Sequence, residues 1–260
     1  LIKALPDVDM TIDFTVLDFV EGMERSTKGT LLMWAAYNGH VQVARRLIQK
    51  GADINTKCEN GWTALMSTCR MGHAEVTGLL LRYGASVNER DDFSFTALMY
   101  AAMQGDLASV KLLIEHNAAI DARDEGGFTA LMYACYNHKD IVKYLLEQGG
   151  SLANESKNGW NALYVAAVSG NYEIVKVLLE NGARINKKYD CVNCGQTVLI
   201  VAAWEGYTEM AKLLMQKGAL LNIKDDGGYT ALDWAERKNH ADVAALLKNA
   251  GAKKGKELTE

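Results

Sequence analysis

Residues 96–118, TALMYAAMQGDLASVKLLIEHNA, hold a helix start, a helix stop and a second helix within a single short run. Thr96 is placed to cap a helix, since its side-chain oxygen can take a hydrogen bond from an orphan N–H of the first turn. The small pair Ala101-Ala102 lets two short helices approach closely, and Gly105 ends the first of them through a left-handed residue. The second segment closes at Asn117-Ala118, where Asn tolerates the left-handed conformation better than most residues.

The same unit recurs along the chain. Its cap string appears as Thr30-Leu-Leu, Thr63-Ala-Leu, Thr96-Ala-Leu, Thr129-Ala-Leu, Asn161-Ala-Leu, Thr197-Val-Leu and Thr230-Ala-Leu. By subtraction the intervals are 33, 33, 33, 32, 36 and 33 residues, so seven units stand in register. Gly39, Gly72, Gly105, Gly170 and Gly206 stop the first helix, with His138 and Asn239 in that slot elsewhere. The second helix carries apolar residues at helical spacing, as in Val41, Val43, Ala44, Leu47 and Ile48, or Ile174, Val175, Val177, Leu178 and Leu179. Neither helix buries its apolar face alone; stacked on neighbours, each does. The spacing predicts an all-α solenoid of stacked helix-turn-helix units.

This pattern resembles the ankyrin-repeat family, whose unit of about 33 residues carries Thr-Pro-Leu-His-x-Ala. The likeness extends over residues 26–254, with repeats at about 26–58, 59–91, 92–124, 125–156, 157–189, 190–225 and 226–254. The departures are consistent: Ala or another aliphatic residue replaces Pro, and Met33, Met66, Met99, Met132, Tyr164, Ile200 and Asp233 replace His. Losing Pro is tolerable because Ala is the best helix former, whereas losing His removes a group that ties the family's loops together. The resemblance implies β-hairpin-like loops, recognition of another protein through a concave face, no cofactor and no catalysis.

In that family the hairpin tip before the cap and the exposed side of the first helix line the groove. Those columns hold Trp34, Tyr37, Trp62, Arg70, Phe95, Tyr100, Phe128, Tyr133, Tyr136, Trp160, Trp204, Tyr229 and Trp234. Twelve of the chain's 21 aromatics fall there. Any one of them could pack on the next hairpin, but a dozen half-exposed rings would present on the order of 1,000 Å². That exceeds the ~300–600 Å² of an ordinary monomer's largest apolar patch, and aromatic anchors are typical of interface hot spots. Acid pairs flank the stripe at Asp91-Asp92, Asp124-Glu125 and Asp225-Asp226, with Glu59 and Asp190 beside them. One acid of each pair suffices to bind the turn's backbone N–H groups. The surplus acids, Asp92, Glu125 and Asp226, form an expected rim for a linear motif with apolar anchors and basic flanks.

Composition agrees with a folded recognition module. Hydrophobic residues make up 49% of the 260, ample for a core, and the formal net charge is −4. Beyond the short Lys253-Lys254-Gly-Lys256 run no basic cluster stands out, which argues against nucleic acid. No apolar stretch reaches the ~18 residues that cross a bilayer, and the start is not a signal peptide. The chain opens on Leu1 without Met, as an excised or processed piece would. Five cysteines, an odd number with only Cys191 and Cys194 close together, point to a reducing cytoplasmic setting, with the nucleus as the alternative.

Features that could mislead have plainer readings. Cys191-Val-Asn-Cys194 sits in the lengthened 36-residue interval and is expected to be a pair of free thiols in an insertion, because zinc needs four ligands. His40, His73, His116, His138 and His240 lie at helix boundaries and suit capping, not catalysis; no nucleophile-elbow, phosphate-loop or metalloprotease motif is present. Residues 1–25 do not fit the period. There, Thr11–Gly22 reads as an amphipathic helix or a decayed second helix capping the first repeat, with docking into the groove as the alternative. Residues 255–260 read as a polar tail. The function expected is a protein-binding adaptor, not an enzyme, or else a scaffold segment whose groove packs on its own chain.

Overall fold

The computed structural model describes residues 11–14, 27–189 and 195–258. It divides into two compact units, residues 1–125 and 126–260. Among the described residues both are built of helix pairs, apart from one short ribbon and one 3-10 turn.

The first unit opens with β1 (Thr11–Phe14) antiparallel to β2 (Thr27–Thr30), Thr11 facing Thr30 and Phe14 facing Thr27. The expected helix over 11–22 is therefore a strand where it is described. The alternation Thr-Ile-Asp-Phe, with two β-branched residues in four, suits a pleated ribbon better than a helix start. The rest of that segment, and the question of cap against groove ligand, lies outside the described residues. Three helix pairs follow: α1 (Leu31–Tyr37) with α2 (Val41–Gln49), α3 (Ala64–Met71) with α4 (Ala74–Arg82), and α5 (Ala97–Gln104) with α6 (Leu107–Glu115). The second unit has four pairs: α7 (Ala130–Ala134) with α8 (Lys139–Glu147), α9 (Ala162–Val168) with α10 (Tyr172–Glu180), α11 (Val198–Glu205) with α12 (Thr208–Gln216), and α13 (Ala231–Arg237) with α14 (Ala241–Asn249).

The local chemistry follows the repeat. Thr63, Thr96, Thr129, Asn161, Thr197 and Thr230 each accept a hydrogen bond from the backbone N–H three residues on. Gly72, Gly105 and Gly206 close α3, α5 and α11 in the left-handed conformation. Within each unit first helices pack on first helices and second on second, and the Ala pairs at 0% exposure mark how closely they approach. Met66, Met99, Met132, Tyr164 and Ile200 are buried at the position the family's His would take, so the core gains there what the loops lose.

Loops are tied from one repeat to the next by asparagines. Asn55 Oδ1 accepts from Ser86 N at 2.8 Å, and Asn88 Oδ1 from Ala119 N at 2.7 Å. In the second unit Asn186 takes Leu220 N and Asn222 takes Lys253 N, both at 2.8 Å. The last of these draws the C-terminal segment into the pattern. Thr230 Oγ1 donates to the Lys253 carbonyl at 2.8 Å, Gly255 N to Asp233 Oδ2 at 2.7 Å, and Lys254 pairs with Glu236 at 2.5 Å. Residues 253–258, with a 3-10 turn at Gly255–Glu257, are thus a packed end piece and not a free tail. The lengthened interval is also located: Tyr189 and Gln196 make the closing bond that Asp225 and Tyr229 make in the next hairpin. Asp190, Cys191 and Cys194 lie outside the described residues.

Candidate partner-binding surface

One side chain at the base ties each of three hairpins. Asp91 is buried; its Oδ1 accepts from Phe93 N at 3.0 Å and Phe95 N at 2.9 Å, and its Oδ2 takes the Tyr100 hydroxyl at 2.5 Å. Asp225 repeats the arrangement with Gly227 N and Tyr229 N at 2.9 Å and Trp234 Nε1 at 2.6 Å. Ser156 Oγ accepts from Trp160 N at 3.1 Å. Asp92 and Asp226, the second acids, are exposed.

These ties draw the aromatic columns inward. Trp62 and Tyr100 lie 5.0 Å apart and are only 7% and 5% exposed, with Phe95 stacked on Tyr100 at 5.1 Å. Burial first, then the bond to Asp91, holds the Tyr100 phenol protonated, above its ordinary range. In the second unit Phe128 meets Tyr133 at 5.6 Å and Trp160 at 6.3 Å, Trp160 meets Tyr164, and Tyr164 meets the fully buried Tyr189. Trp204, Trp234 and Tyr229 form a separate cluster, at 4.1 Å and 5.3 Å. Trp34 faces His40 at 5.0 Å, and the Tyr37 carbonyl is 3.0 Å from His73 Nε2.

Two of the dozen rings expected to be half-exposed are closed off. Of the twelve aromatics, Trp62 and Tyr100 are buried, nine are half-buried in ring-to-ring contact or against their own repeat, and Tyr136 is exposed, at 48%. Rings on neighbouring repeats find one another before a partner can. The large apolar residues that stay open are Met71, Tyr83, Phe93 and Met103 in the first unit, Phe93 at 61%, and Tyr136, Val168 and Leu220 in the second. Met71 and Val168 are the last residues of α3 and α9, Met103 is the last but one of α5, and Tyr136 lies two residues past α7. The signal for them was present in the sequence, since these positions share the variable columns of Arg70, but an aromatic filter passes over Met and Val.

Charge is distributed unevenly between the units. Glu59, Asp92 and Glu125 are exposed and form no ion pair among the described residues. Asp226, expected to join that rim, instead lies 3.8 Å from Lys188 Nζ. Arg70 sits over the Trp62 and Tyr100 rings at 5.6 and 5.9 Å. Arg237, at the equivalent repeat position, sits 4.4 Å over Tyr229 and 5.3 Å over Trp234, and Lys238 Nζ 3.9 Å over Trp204. No cluster of three or more His, Cys, Asp or Glu placed to hold a metal occurs among the described residues. No helix there is long and apolar enough to cross a membrane.

Comparison with known proteins places this geometry. The chain matches the family model described as ankyrin repeats (3 copies) over residues 13–91, 80–155, 98–189 and 187–257. Among solved structures it is similar to the crystal structure of the human ASB11 ankyrin repeat domain, at 28% identity and a TM-score of 0.77, covering 86% of this chain and 99% of that one. No curated protein sequence matches.

Proposed function

Because the chain belongs to the ankyrin-repeat family, a family of protein-interaction modules, we propose that it is an adaptor that seats a partner segment against the open ends of its first helices. The observation that carries this reading is the recurrence of exposed apolar side chains seven or eight residues after the cap: Met71 and Met103 in the first unit, Tyr136 and Val168 in the second. Tyr83, Phe93 and Leu220 are exposed as well, but at places that do not recur, whereas these four return in successive repeats, and exposed apolar patches mark interaction sites.

In the first unit the hairpin turns carry a border of exposed acids, Glu59, Asp92 and Glu125, with exposed Phe93 next to Asp92. That border suits a linear motif whose apolar anchors are flanked by Lys or Arg. The chemistry asked of the module is recognition, not catalysis, and it needs no cofactor. A cytoplasmic site of action fits with Cys58, Cys69 and Cys135, which are free thiols.

Peptide-display selection on the purified chain tests this, run beside a variant carrying Met71→Ser, Phe93→Ser, Met103→Ser, Tyr136→Ser and Val168→Ser that retains helicity. We expect a shared motif with apolar anchors and basic flanks that the variant no longer captures. Absence of any enriched motif, or a motif indifferent to those five positions, overturns the reading in favour of a scaffold segment.

A further inference from the structure

The Tyr229, Trp234 and Trp204 cluster carries two cations that form no ion pair among the described residues. We infer that Arg237 and Lys238, held on these rings, form a carboxylate-recognition site for an Asp or Glu side chain of a bound peptide; this rests on the recognition reading above and adds a specificity element to it.

Four observations support the assignment. First, both side chains are exposed, and neither forms an ion pair among the described residues. The neighbouring cations of the same end, Lys248 and Lys254, are both engaged by Glu236. Second, each cation has a fixed seat: the Arg237 guanidinium lies 4.4 Å from the Tyr229 ring centroid, and the Lys238 ammonium 3.9 Å from that of Trp204. A guanidinium resting on a ring keeps its N–H edge free for bidentate contact with a carboxylate, and ordering it beforehand reduces the entropy lost on binding.

Third, the acids close by are already committed or leave the cations alone. Asp225 accepts from Gly227 N, Tyr229 N and Trp234 Nε1, and Asp226 faces Lys188. Glu205, exposed beside Trp204, pairs with neither Arg237 nor Lys238. Fourth, the seat is itself held in place. The Trp234 indole that supports Arg237 is anchored to buried Asp225 at 2.6 Å, and Trp204 packs on Trp234 at 4.1 Å. Half-buried rings beneath the two cations lower the local dielectric and strengthen a charge-assisted contact made there. An acid next to an apolar residue therefore matches this end, the acid on Arg237 and Lys238 and its neighbour over the Trp204–Trp234 pair.

The test uses the peptides selected on the whole chain. They are re-screened on the double variant Arg237→Gln, Lys238→Gln, and those lost on it are synthesised with a fluorophore and measured by anisotropy. The expected result is that the lost peptides share an Asp or Glu, and that replacing it by Asn or Gln weakens binding at least tenfold. The weakening should match that caused by the double variant and shrink with added salt. If helicity shows that the double variant has not folded, Lys238→Gln alone takes its place, with the same expectation at threefold or more. Selected peptides that are indifferent to Arg237 and Lys238, or dependent on them without containing an acid, overturn this inference and leave the recognition reading standing. A phosphoserine in place of the acid that binds more than tenfold tighter also overturns it, assigning the seat to phosphate. Failure to select any peptide overturns the recognition reading and this inference together.

Discussion

Asp91 and Asp92 are adjacent, carry the same charge and should respond oppositely to Ala. Asp91→Ala removes a buried carboxylate that takes two backbone amides and the Tyr100 hydroxyl. Each hydrogen bond to a charged group contributes about 1.5–3 kcal/mol, and a buried donor left unmade costs about 1–3 kcal/mol. The amide of exposed Phe93 can find water again, while the phenol of Tyr100, 5% exposed, cannot do so without opening the ring stack. The loss expected is therefore roughly 3–5 kcal/mol, a large part of the ~5–15 kcal/mol that holds a typical domain folded. Asp92 is exposed and forms no ion pair among the described residues, so Asp92→Ala should stay within about 0.5 kcal/mol. Urea unfolding followed by far-UV circular dichroism measures both. Because repeat arrays can lose cooperativity, amide exchange at Phe93 and Phe95 supplies a local readout, which Asp91→Ala should deprotect. A cost below 1 kcal/mol for Asp91→Ala, or an equal cost for the two variants, would refute the division of labour between these acids.

Three further outcomes follow from the geometry. Gly206 has φ +78° and a Cβ built there meets the His240 ring at 2.6 Å, whereas one at Gly218 meets nothing within 4 Å; Gly206→Ala should cost at least about 2 kcal/mol and Gly218→Ala about 1, compared by thermal melts. Burial pushes the Cys69 thiol up to about 12 and Cys135 higher still, so at pH 8 iodoacetamide should label half-buried Cys58 well before either, as read by mass spectrometry. Lys248, then Lys254, holds the Glu236 carboxyl below its ordinary value, so its contribution is present above the usual Glu pKa of about 4.3 and is lost as pH falls through the depressed one. The melting temperature should show that step, and Glu236→Gln should flatten it by no more than the ~1 kcal/mol of a surface pair.

The fold was legible because its signals are local and repeated. A Thr cap, an Ala pair and a left-handed Gly each act within a few residues, and Thr96 to Asn117 displays all of them. Residues 11–14 were misread as helix for the converse reason: a segment outside the period has no neighbours in register to arbitrate between helix and strand. The surface was less legible because exposure at a repeat position depends on what the next repeat places opposite. Trp62 carries the same column signal as Phe128, yet Tyr100 from the following repeat and Arg70 from its own cover it. The C-terminal end piece was missed because Lys253-Lys254-Gly255-Lys256 looks solvated by composition, and only the partners Asn222, Asp233 and Glu236 make it structural.

Arg70 and Arg237 show how one repeat position can serve two ends. Both stand at the same place after the cap and both rest on the ring that precedes it, Trp62 or Tyr229. Arg70 is half-buried over a Trp62–Tyr100 pair that is itself closed, so its charge is spent within the fold, lowering the burden on Tyr100 beside Asp91. Arg237 is exposed over half-buried rings and forms no ion pair among the described residues. The difference lies in the hairpin and not in the arginine: Asp91 takes the hydroxyl of Tyr100, whose ring is buried, while Asp225 takes the edge nitrogen of Trp234, whose ring stays half-buried among Trp204 and Tyr229. Exchanging the two aromatics should therefore move the availability of the arginine without moving the arginine. Trp234→Tyr is expected to bury the ring further and reduce the accessibility of Arg237 to phenylglyoxal by severalfold, with Lys238 labelling unchanged by comparison. Equal phenylglyoxal labelling in the two proteins would show that the arginine's exposure is set elsewhere, and that the aromatic beneath it is only a neighbour.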